Sequence, residues 1–215
     1  PIASCLVAVA PVSTEALQVD MSVHGSAPRL ILASASPRRR ELIARLGVTP
    51  DAIEAADIDE TPAPREVPRD YARRMAREKA LAVPSADAFV LAGDTVVACG
   101  RRILPKAEDE ATARQCLDLL SGRRHRVLSA VALRAPDGTL RERLCETVVR
   151  FKPLSREEVD AYIASGEWDG KAGGYAIQGS AEGLIAWISG SHSAVVGLPL
   201  FETRALLKSA GFPIA

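Results

Sequence analysis

Apolar residues along the chain alternate between short continuous runs and runs with helical spacing. RLILA, residues 29–33, is typical of a buried strand, and DAFVLAG, residues 87–93, predicts a second one that ends at Asp94 and Thr95. PRDYARRMAREKALAV, residues 68–83, has helical spacing. No period of about 20 to 50 residues recurs, so the pattern predicts an α/β domain rather than a repeat protein.

A tight turn and a helix should follow the first strand. Ser36 stands at the expected N-cap, Pro37 at the first helical position and Gly47 where the helix should end. In the helix over 68–83, Lys79 shares a face with Met75 and its alanine neighbours. The spacing therefore places one lysine on the face that we expect to be buried.

The second half of the chain continues the α/β pattern with a strand hairpin, which makes the predicted sheet mixed. Ser155 and Glu158 form a capping-box pattern at the start of one helix. The elements predicted there are a helix at 108–122, strands at 125–135 and 139–154 joined by the turn PDG, a helix at 155–166, a glycine-rich stretch at 169–179, a strand at 183–190, a loop at 191–197 and a last helix at 198–211.

Length and charge limit the kind of partner. The 215 residues are 47% hydrophobic, which is enough for a substantial core. The 27 basic residues are balanced by 27 acidic ones, so no overall field would gather nucleic acid or an anionic membrane. A local site for a small anion fits this balance better than a surface for duplex DNA.

The cysteines and the N-terminus point to no further chemistry. Cys5, Cys99, Cys116 and Cys145 form no C-x-x-C pair and predict buried, reduced thiols rather than a disulfide framework or a metal site.

The apolar run CLVAVA near the N-terminus is too short to cross a membrane. We expect residues 1–27 to be a mobile extension and residues 28–215 a single domain, because no Pro- or Gly-rich linker divides them.

The stretch SASPRRR, residues 34–40, puts hydroxyls and guanidinium groups at the start of the first helix. Backbone N–H groups at a helix N-terminus, serine hydroxyls and arginine side chains all donate hydrogen bonds to oxyanions. The stretch therefore predicts a phosphate site. A helix turns about 100° per residue, so three adjacent arginines cannot all face one ligand. We expect Arg38 and Arg39 to bind it and Arg40 to face water.

A second candidate is AGDTVV, where Asp94 follows a buried apolar run. Ligands in open α/β sheets gather at the carboxyl ends of strands. A carboxylate there suits a divalent cation or acts as a base. Lys79, Lys106 and Lys171 are each compatible with an ordinary surface lysine, but together they suit a polyphosphate. Glu60, in DIDETP, is a nearby candidate for metal binding.

Other motifs carry less weight. GKAGG lacks the P-loop spacing, and the basic turn GRRHR, residues 122–126, is more typical of a solvated loop than of a nucleic-acid surface. His125 and His192 lack a recognisable nucleophile partner. Trp168 and Trp187 are expected in the core.

Taken together, the ordered segments resemble the Maf family over about Arg29 to Gly211. They are SASPRRRELI, DIDETP, REKA, AGDTVV, PK, LSGRRHRV, KAGGYAIQG and GSHSAVVGLPLFET. The resemblance implies an elongated mixed sheet with flanking helices in two lobes around a central cleft, similar to inosine triphosphate pyrophosphatases. It also implies a cytoplasmic nucleoside triphosphate pyrophosphatase that needs Mg²⁺ or Mn²⁺, with a possible homodimer and no membrane partner.

The resemblance assigns roles by position. Asp94 matches the proton acceptor, and Ser34, Ser36, Arg39, Glu60, Lys79 and Lys106 match polar positions of the cleft. Arg38, Thr95 and Gln178 match the set of the branch that acts on dTTP and UTP. The amide of Gln178 and the hydroxyl of Thr95 suit the donor and acceptor edge of uracil or thymine.

The expected mechanism is attack of water on the α-phosphorus. Asp94 is the base or a ligand of the metal that activates the water, Glu60 helps to hold the metal, and Lys79 and Lys106 join Arg39 in neutralising the phosphates. Two other functions stay open at this point: a broader hydrolase of modified nucleotides, and a nucleotide- or DNA-binding regulator of cell division.

Overall fold

The predicted α/β class is confirmed by the computed structural model, which describes residues 27–214. A large mixed sheet has helices on both faces, as expected from the alternating pattern. The predicted mobile extension, residues 1–27, lies outside the described residues except for its last position.

Seven strands form the main sheet in the order β2-β1-β3-β6-β7-β9, with β4 paired to β3, and β5 and β8 form a separate two-stranded sheet. β1 runs parallel to β2 and β3, whereas the remaining pairs are antiparallel, so the sheet is mixed. The strands are β1 Arg29–Ala33, β2 Ala52–Ile53, β3 Ala88–Cys99, β4 Arg102–Leu104, β5 Lys106–Ala107, β6 Arg124–Arg134, β7 Leu140–Phe151, β8 Lys171–Ala172 and β9 Ile185–Ser189.

The helices begin and end close to the predicted signals. Ser155 and Glu158 make both hydrogen bonds of the predicted capping box. Gly47 follows the first helix with φ +72°, a backbone angle that glycine adopts without strain. The helices are α1 Pro37–Ala44, α2 Pro68–Ala82, α3 Glu110–Leu120, α4 Arg156–Ala164, α5 His192–Val196 and α6 Leu200–Ser209, with a 3₁₀ helix at Ser180–Leu184.

The edge of β3 that faces β1 contains a gap. β1 pairs with β3 up to Ala92, and β4 joins the same strand from Val97. Among the described strands, none pairs with residues 93–96 on this edge, whereas β6 continues the ladder along the other edge. The backbone of β3 is thus held in place while its middle residues are open to a cleft.

Two lobes share the long strands β3, β6 and β7. Val131 and Leu133 pack with α1 and α6 in one apolar cluster. Farther along the same sheet face, Val127, Val149 and Phe151 pack with α3 and α4 in a second cluster. The opposite face is covered by α2, which buries a third cluster. Because these strands of 11 and 12 residues run through both lobes, the sheet continues without interruption across the space between the lobes.

Three predictions about local structure are wrong. β3 does not end at Asp94, because its pairing with β6 continues to Ala98. The segment 191–197 is not a loop, since Ser191 accepts a hydrogen bond from the amide of Ala194 and caps the short helix α5. Trp187 is not in the core: it is 42% exposed on the edge strand β9, with the guanidinium of Arg124 5.2 Å from its ring centre.

A fourth prediction is wrong in part: residues 122–126 are not a solvated loop throughout, because β6 begins at Arg124. His125 is buried, and its Nε2 lies 2.8 Å from the Tyr175 hydroxyl. Burial lowers the pKa of His125 to about 4, so the ring is neutral near pH 7. Cys116 and Cys145 are buried free thiols, as predicted, whereas Cys99 is free but only half-buried. Cys5 lies outside the described residues. Over residues 27–214, no helix is both long and apolar enough to cross a membrane.

Candidate active site

A cleft of about 450 Å³ lies between the two lobes, at the gap beside β3. Its walls come from the β1–α1 turn, α2, the segment after β2, and the segments 169–172 and 175–178 of the second lobe. All ten predicted site residues are among the residues that line it: Ser34, Ser36, Arg38, Arg39, Glu60, Lys79, Asp94, Thr95, Lys106 and Gln178. The structure thus brings together residues that are up to 144 positions apart in the sequence.

Two carboxylates converge on one buried lysine. The Nζ of Lys79 lies 2.7 Å from Oδ1 of Asp94 and 2.9 Å from Oε1 of Glu60. The second oxygen of Glu60 lies 3.0 Å from Nζ of Lys106, across the mouth of the cleft. Asp94 and Lys79 are only 6% and 7% exposed. A row of alternating charges therefore joins β3, α2, the segment after β2 and β5.

The local structure explains why these groups meet. Asp94 shares a face of β3 with Ala92 and Val96, which pack against α2, and Lys79 is on the buried face of that helix. Burial alone would raise the pKa of the Glu60 carboxyl, but the hydrogen bonds and charges of Lys79 and Lys106 outweigh it and hold the pKa below its ordinary value. Glu60 is therefore ionised near pH 7.

Arg39 crosses the opposite face of the sheet. It donates from Nε to the Gly197 carbonyl at 2.9 Å and from one terminal nitrogen to the Ser34 hydroxyl at 3.0 Å. The other terminal nitrogen lies 3.5 Å from the hydroxyl of Thr95, which also contacts the hydroxyl of Ser129 at 3.1 Å. Successive residues of a strand point to opposite faces, so Asp94 and Thr95 present the two sides of β3 to one cleft.

Arg38 and Lys171 enter the cleft from different lobes. The Nε of Arg38 is buried without a hydrogen-bond partner in the described part of the chain. Burial lowers the pKa of the Arg38 guanidinium, despite the charge of Glu41, and burial together with the charge of Arg38 lowers the pKa of Lys171. Both groups would be stabilised by an anion between them. Gln178 lines the same cleft and is exposed.

The start of α1 differs from the prediction in one respect. Ser36 is the N-cap residue, but its side chain makes no hydrogen bond to the helix amides. Its backbone N–H instead donates to the Ser34 hydroxyl at 3.2 Å. Ser36 and the first turn of α1 border the cleft, whereas Arg40 is exposed. Pro37 has no N–H, and the amides of Arg39 and Arg40 donate to the Ser36 carbonyl at 3.2 and 3.4 Å. Within the first turn of α1, this leaves the amide of Arg38 for an oxyanion.

Sequence reasoning missed three supporting groups. The Gly197 carbonyl accepts from both Arg39 and Thr95, and Ser129 holds Thr95 from the neighbouring strand. The Tyr71 hydroxyl donates to the Glu60 carbonyl at 2.7 Å. A backbone carbonyl has no sequence signal, but Ser129 had one, because a serine interrupts the apolar run of β6.

The acidic pair has the composition of a magnesium site. In the residues that the structure describes, no group of three or more His, Cys, Asp or Glu side chains is arranged to hold a metal ion. Glu60 and Asp94 nevertheless direct one carboxylate oxygen each to the same point, now taken by the ammonium of Lys79. Mg²⁺ commonly binds one or two carboxylates and completes its shell with substrate phosphates and water. These residues fit that donor set.

Comparison with known proteins places the chain in a family. A family model described as "Maf-like protein" matches residues 29–210. A dTTP/UTP pyrophosphatase of Novosphingobium aromaticivorans is 68% identical over 189 residues, which cover 87% of this chain and 94% of that protein. Proteins of the same name from Rhodospirillum rubrum and Sphingopyxis alaskensis are each 62% identical, over 85% and 87% of this chain and 88% and 99% of theirs.

Solved structures are more distant. A HAM1 protein from Coxiella burnetii is 15% identical over 85% of this chain and 99% of its own, with a TM-score of 0.46. A dITP/XTP pyrophosphatase from Mycobacterium abscessus is 19% identical over 57% of this chain and 72% of its own, with a TM-score of 0.39.

Proposed function

The chain belongs to the Maf-like protein family, and from this premise we propose that it hydrolyses dTTP and UTP to the nucleoside monophosphate and pyrophosphate. The observation that carries the proposal is the meeting of Glu60, Lys79 and Asp94 in a cleft whose other charged groups are mainly cationic. The names of the relatives support the choice of dTTP and UTP.

The charge of the cleft suits a triphosphate. Five cationic side chains and three carboxylates line it: Arg38, Arg39, Lys79, Lys106 and Lys171, and Glu60, Asp94 and Asp169. Removing several phosphate charges from water is favourable only where fixed cations and donors replace the hydration shell. Arg39 is held by Gly197 and Ser34 in a fixed position, so it neutralises phosphate charge with little loss of side-chain freedom.

The position of each polar group in the cleft suggests its role in binding the triphosphate. Ser34, Ser36 and the backbone amide of Arg38 bind phosphate oxygens beside Arg39. Lys106 stands at the mouth of the cleft, in the second lobe, where it would meet the leaving pyrophosphate. Arg38 and Gln178 face the base and sugar, with the Gln178 amide matching the donor and acceptor edge of a pyrimidine. Thr95 lies beside Arg39, and it acts at the phosphate end of the site through its contacts with Arg39 and the Gly197 carbonyl.

Glu60 and Asp94 would hold the divalent cation, Mg²⁺ or Mn²⁺, together with phosphate oxygens. A bound cation supplies charge neutralisation for the phosphates and lowers the pKa of a coordinated water. Lys79 separates and orients the two carboxylates until substrate enters. Its ammonium then has phosphate oxygens as alternative partners.

The reaction is water attack at the α-phosphorus. The water oxygen forms a bond to phosphorus, the bond between that phosphorus and the bridging oxygen breaks, and pyrophosphate leaves with the electron pair. Asp94 accepts the proton of the attacking water.

We also propose that the protein acts in the cytoplasm, because nucleoside triphosphates are used there.

A product assay tests the proposal. The protein is incubated with Mg²⁺ and, separately, with dTTP, UTP, the other common triphosphates and a set of modified nucleotides, and the products are separated by ion exchange. We expect monophosphate and pyrophosphate, with dTTP and UTP used best. Orthophosphate as the first product would contradict the cleavage position. Better use of modified nucleotides would favour a broader hydrolase, and DNA binding without turnover would favour a regulator.

A further inference from the structure

Glu60 is carried by a segment that has little structure of its own. Residues 54–67, between β2 and α2, contain no helix or strand. At the turn in this segment, Arg65 has φ +64°, a left-handed angle that is unfavourable for a residue with a side chain. Something outside the segment must therefore hold it against the domain, and with it the carboxylate of Glu60.

The ion pairs of Glu60 are poorly suited to this task. Its two oxygens contact Lys79 and Lys106, and both lysines line the cleft. Phosphate oxygens of a bound triphosphate compete for the same ammonium groups. The contacts of Glu60 with lysine thus weaken when substrate arrives, which is when its position matters.

Tyr71 supplies a contact that the substrate does not reach. Its ring is in the apolar cluster under α2, and its hydroxyl donates to the backbone carbonyl of Glu60 at 2.7 Å. Tyr71 is 9% exposed and is absent from the cleft wall. Tyr71 therefore holds the main chain of Glu60 from the side of α2. A ligand that binds in the cleft does not compete for this contact.

Arg74, one turn farther along α2, holds the rest of the segment. Its guanidinium makes two bonds of 2.8 Å to the two oxygens of Glu66 and donates to the Thr61 carbonyl at 3.0 Å. One Glu66 oxygen also accepts from the amide of Ala63 at 2.9 Å. The guanidinium lies 5.5 Å from the ring centre of Tyr71. Residues 60–66, which begin with Glu60, are thereby bound to α2 at both ends.

We infer that Tyr71 and Arg74 are positioning residues for Glu60, which hold its carboxylate at the metal side of the cleft through the backbone of residues 60–66. This inference rests on the proposed function only in giving the cation at Glu60 a part in hydrolysis. The geometry itself predicts that the two residues affect cation binding even in the absence of turnover. Neither is a catalytic residue, because neither touches the cleft.

Mn²⁺ alone is a direct probe, since the fraction of free Mn²⁺ is measured by electron paramagnetic resonance without any nucleotide. Tyr71→Phe keeps the ring and removes only the hydroxyl. We expect it to weaken Mn²⁺ binding about fivefold, the effect of one net hydrogen bond, with a melting temperature within a few degrees of the wild type. Arg74→Lys cannot form the two-pronged bond to Glu66 and should weaken binding by about the same factor or more.

The matched control is Arg77→Lys. Arg77 is on the same helix and binds Glu142 of β7 through two nitrogens, away from the segment. It should leave Mn²⁺ binding unchanged within twofold. A structural effect of disturbing α2 would instead appear in both arginine variants.

A double-mutant cycle shows whether Tyr71 acts through Glu60. In the Glu60→Gln background, Tyr71→Phe should have no further effect on Mn²⁺ binding. Equal isotherms for wild type and Tyr71→Phe, including no binding by either, would overturn the inference, and so would a full effect in the Glu60→Gln background. Absence of triphosphate hydrolysis by the wild type would reject the proposed function and leave this binding test intact.

Discussion

At the scale of single residues, the centre of the site is a row of four charges that are paired with one another before substrate binds. Lys79 joins Asp94 and Glu60, and Lys106 takes the remaining oxygen of Glu60. Buried charges are tolerated only when they are paired, and removing one partner is more costly than the pair is worth. The arrangement therefore keeps cations and carboxylates in a cleft that substrate and metal can enter by exchanging partners.

Replacing Asp94 by Asn tests the role of its carboxylate as base. The amide has the same shape but cannot accept the proton of the attacking water, so kcat should fall by about 10²- to 10⁴-fold. Asp87→Asn, at an exposed position, should keep the wild-type rate. Far-UV circular dichroism should be the same for both variants. Turnover near the wild-type rate in Asp94→Asn would remove the residue from the mechanism.

His125 makes stability depend on pH. Its pKa is about 4 in the folded protein because burial disfavours the charged ring, against 6.5 for the free side chain. The unfolded chain therefore binds a proton that the folded protein does not, and stability falls as the pH drops from 6.5 towards 4. At pH 4.5 the loss from this group should be roughly 2 kcal/mol.

Urea unfolding of wild type and His125→Gln at pH 7.5 and pH 4.5 measures this loss. Gln keeps a group that can bond to the Tyr175 hydroxyl but does not titrate, so the variant should lose less free energy of unfolding between the two pH values. Equal losses would show that His125 is not the source. The acidic residues titrate in both proteins, and the comparison cancels their effect.

At the scale of secondary-structure elements, β3 is the strand that makes the site possible. Pairing with β6 along its whole middle holds the backbone, and the gap between β1 and β4 exposes it. Gly93 also matters here. A Cβ at this position would lie 3.3 Å from the Ala130 carbonyl oxygen and 3.5 Å from Nε of Arg39. The first distance is tight and involves the backbone of β6, whereas the second is an ordinary contact. The glycine therefore lets β3 lie close to β6 beside Asp94.

Gly93→Ala should make the protein less stable, because the new methyl group would lie 3.3 Å from the Ala130 carbonyl oxygen between two paired strands. Crowding there costs about 1–3 kcal/mol, which exceeds the gain of about 0.4–1 kcal/mol from a stiffer unfolded chain. Gly183→Ala is the matched control, since no atom lies within 4 Å of its Cβ. Urea unfolding measures the free energy of unfolding of both variants. Wild-type stability in Gly93→Ala would contradict the described packing of β3 against β6.

Elements with a strong local pattern could be predicted from the sequence. The buried strands, α2 with Lys79 on its inner face and the capping box of α4 all follow from spacing and local chemistry. The extension of β3 beyond Asp94 could not be predicted, because it depends on pairing with residues of β6 that are 28 to 34 positions away in the sequence. The exposure of Trp187 likewise depends on β9 being the last strand of the sheet, which no local pattern reveals.

The site, like the fold, could be predicted in part from the sequence. The residues with charged or hydroxyl side chains lie in recognisable motifs, and all of them line the cleft. Their support was not predictable, because the Gly197 carbonyl and the Tyr71 hydroxyl act through contacts with parts of the chain that are distant in sequence or lack a motif. A motif identifies the groups that touch a ligand more readily than those that hold them in place.

At the scale of the whole molecule, the long strands make the cleft a junction between two packed lobes. Asp94 and Lys79 belong to the side built on β1, α1 and α2, whereas Lys106 and Gln178 belong to the side built on α3 and α4. A triphosphate would have to contact both sides to reach its ligands. The overall charge is zero, so attraction of the nucleotide depends on this local concentration of cations.

The central claim is that water attacks the α-phosphorus of a nucleoside triphosphate in this cleft. The most direct test is hydrolysis of UTP with Mg²⁺ in water enriched in ¹⁸O, followed by mass spectrometry of both products. We predict one ¹⁸O atom in UMP and none in pyrophosphate. Label in pyrophosphate and none in UMP would place the attack at the β-phosphorus and contradict the account.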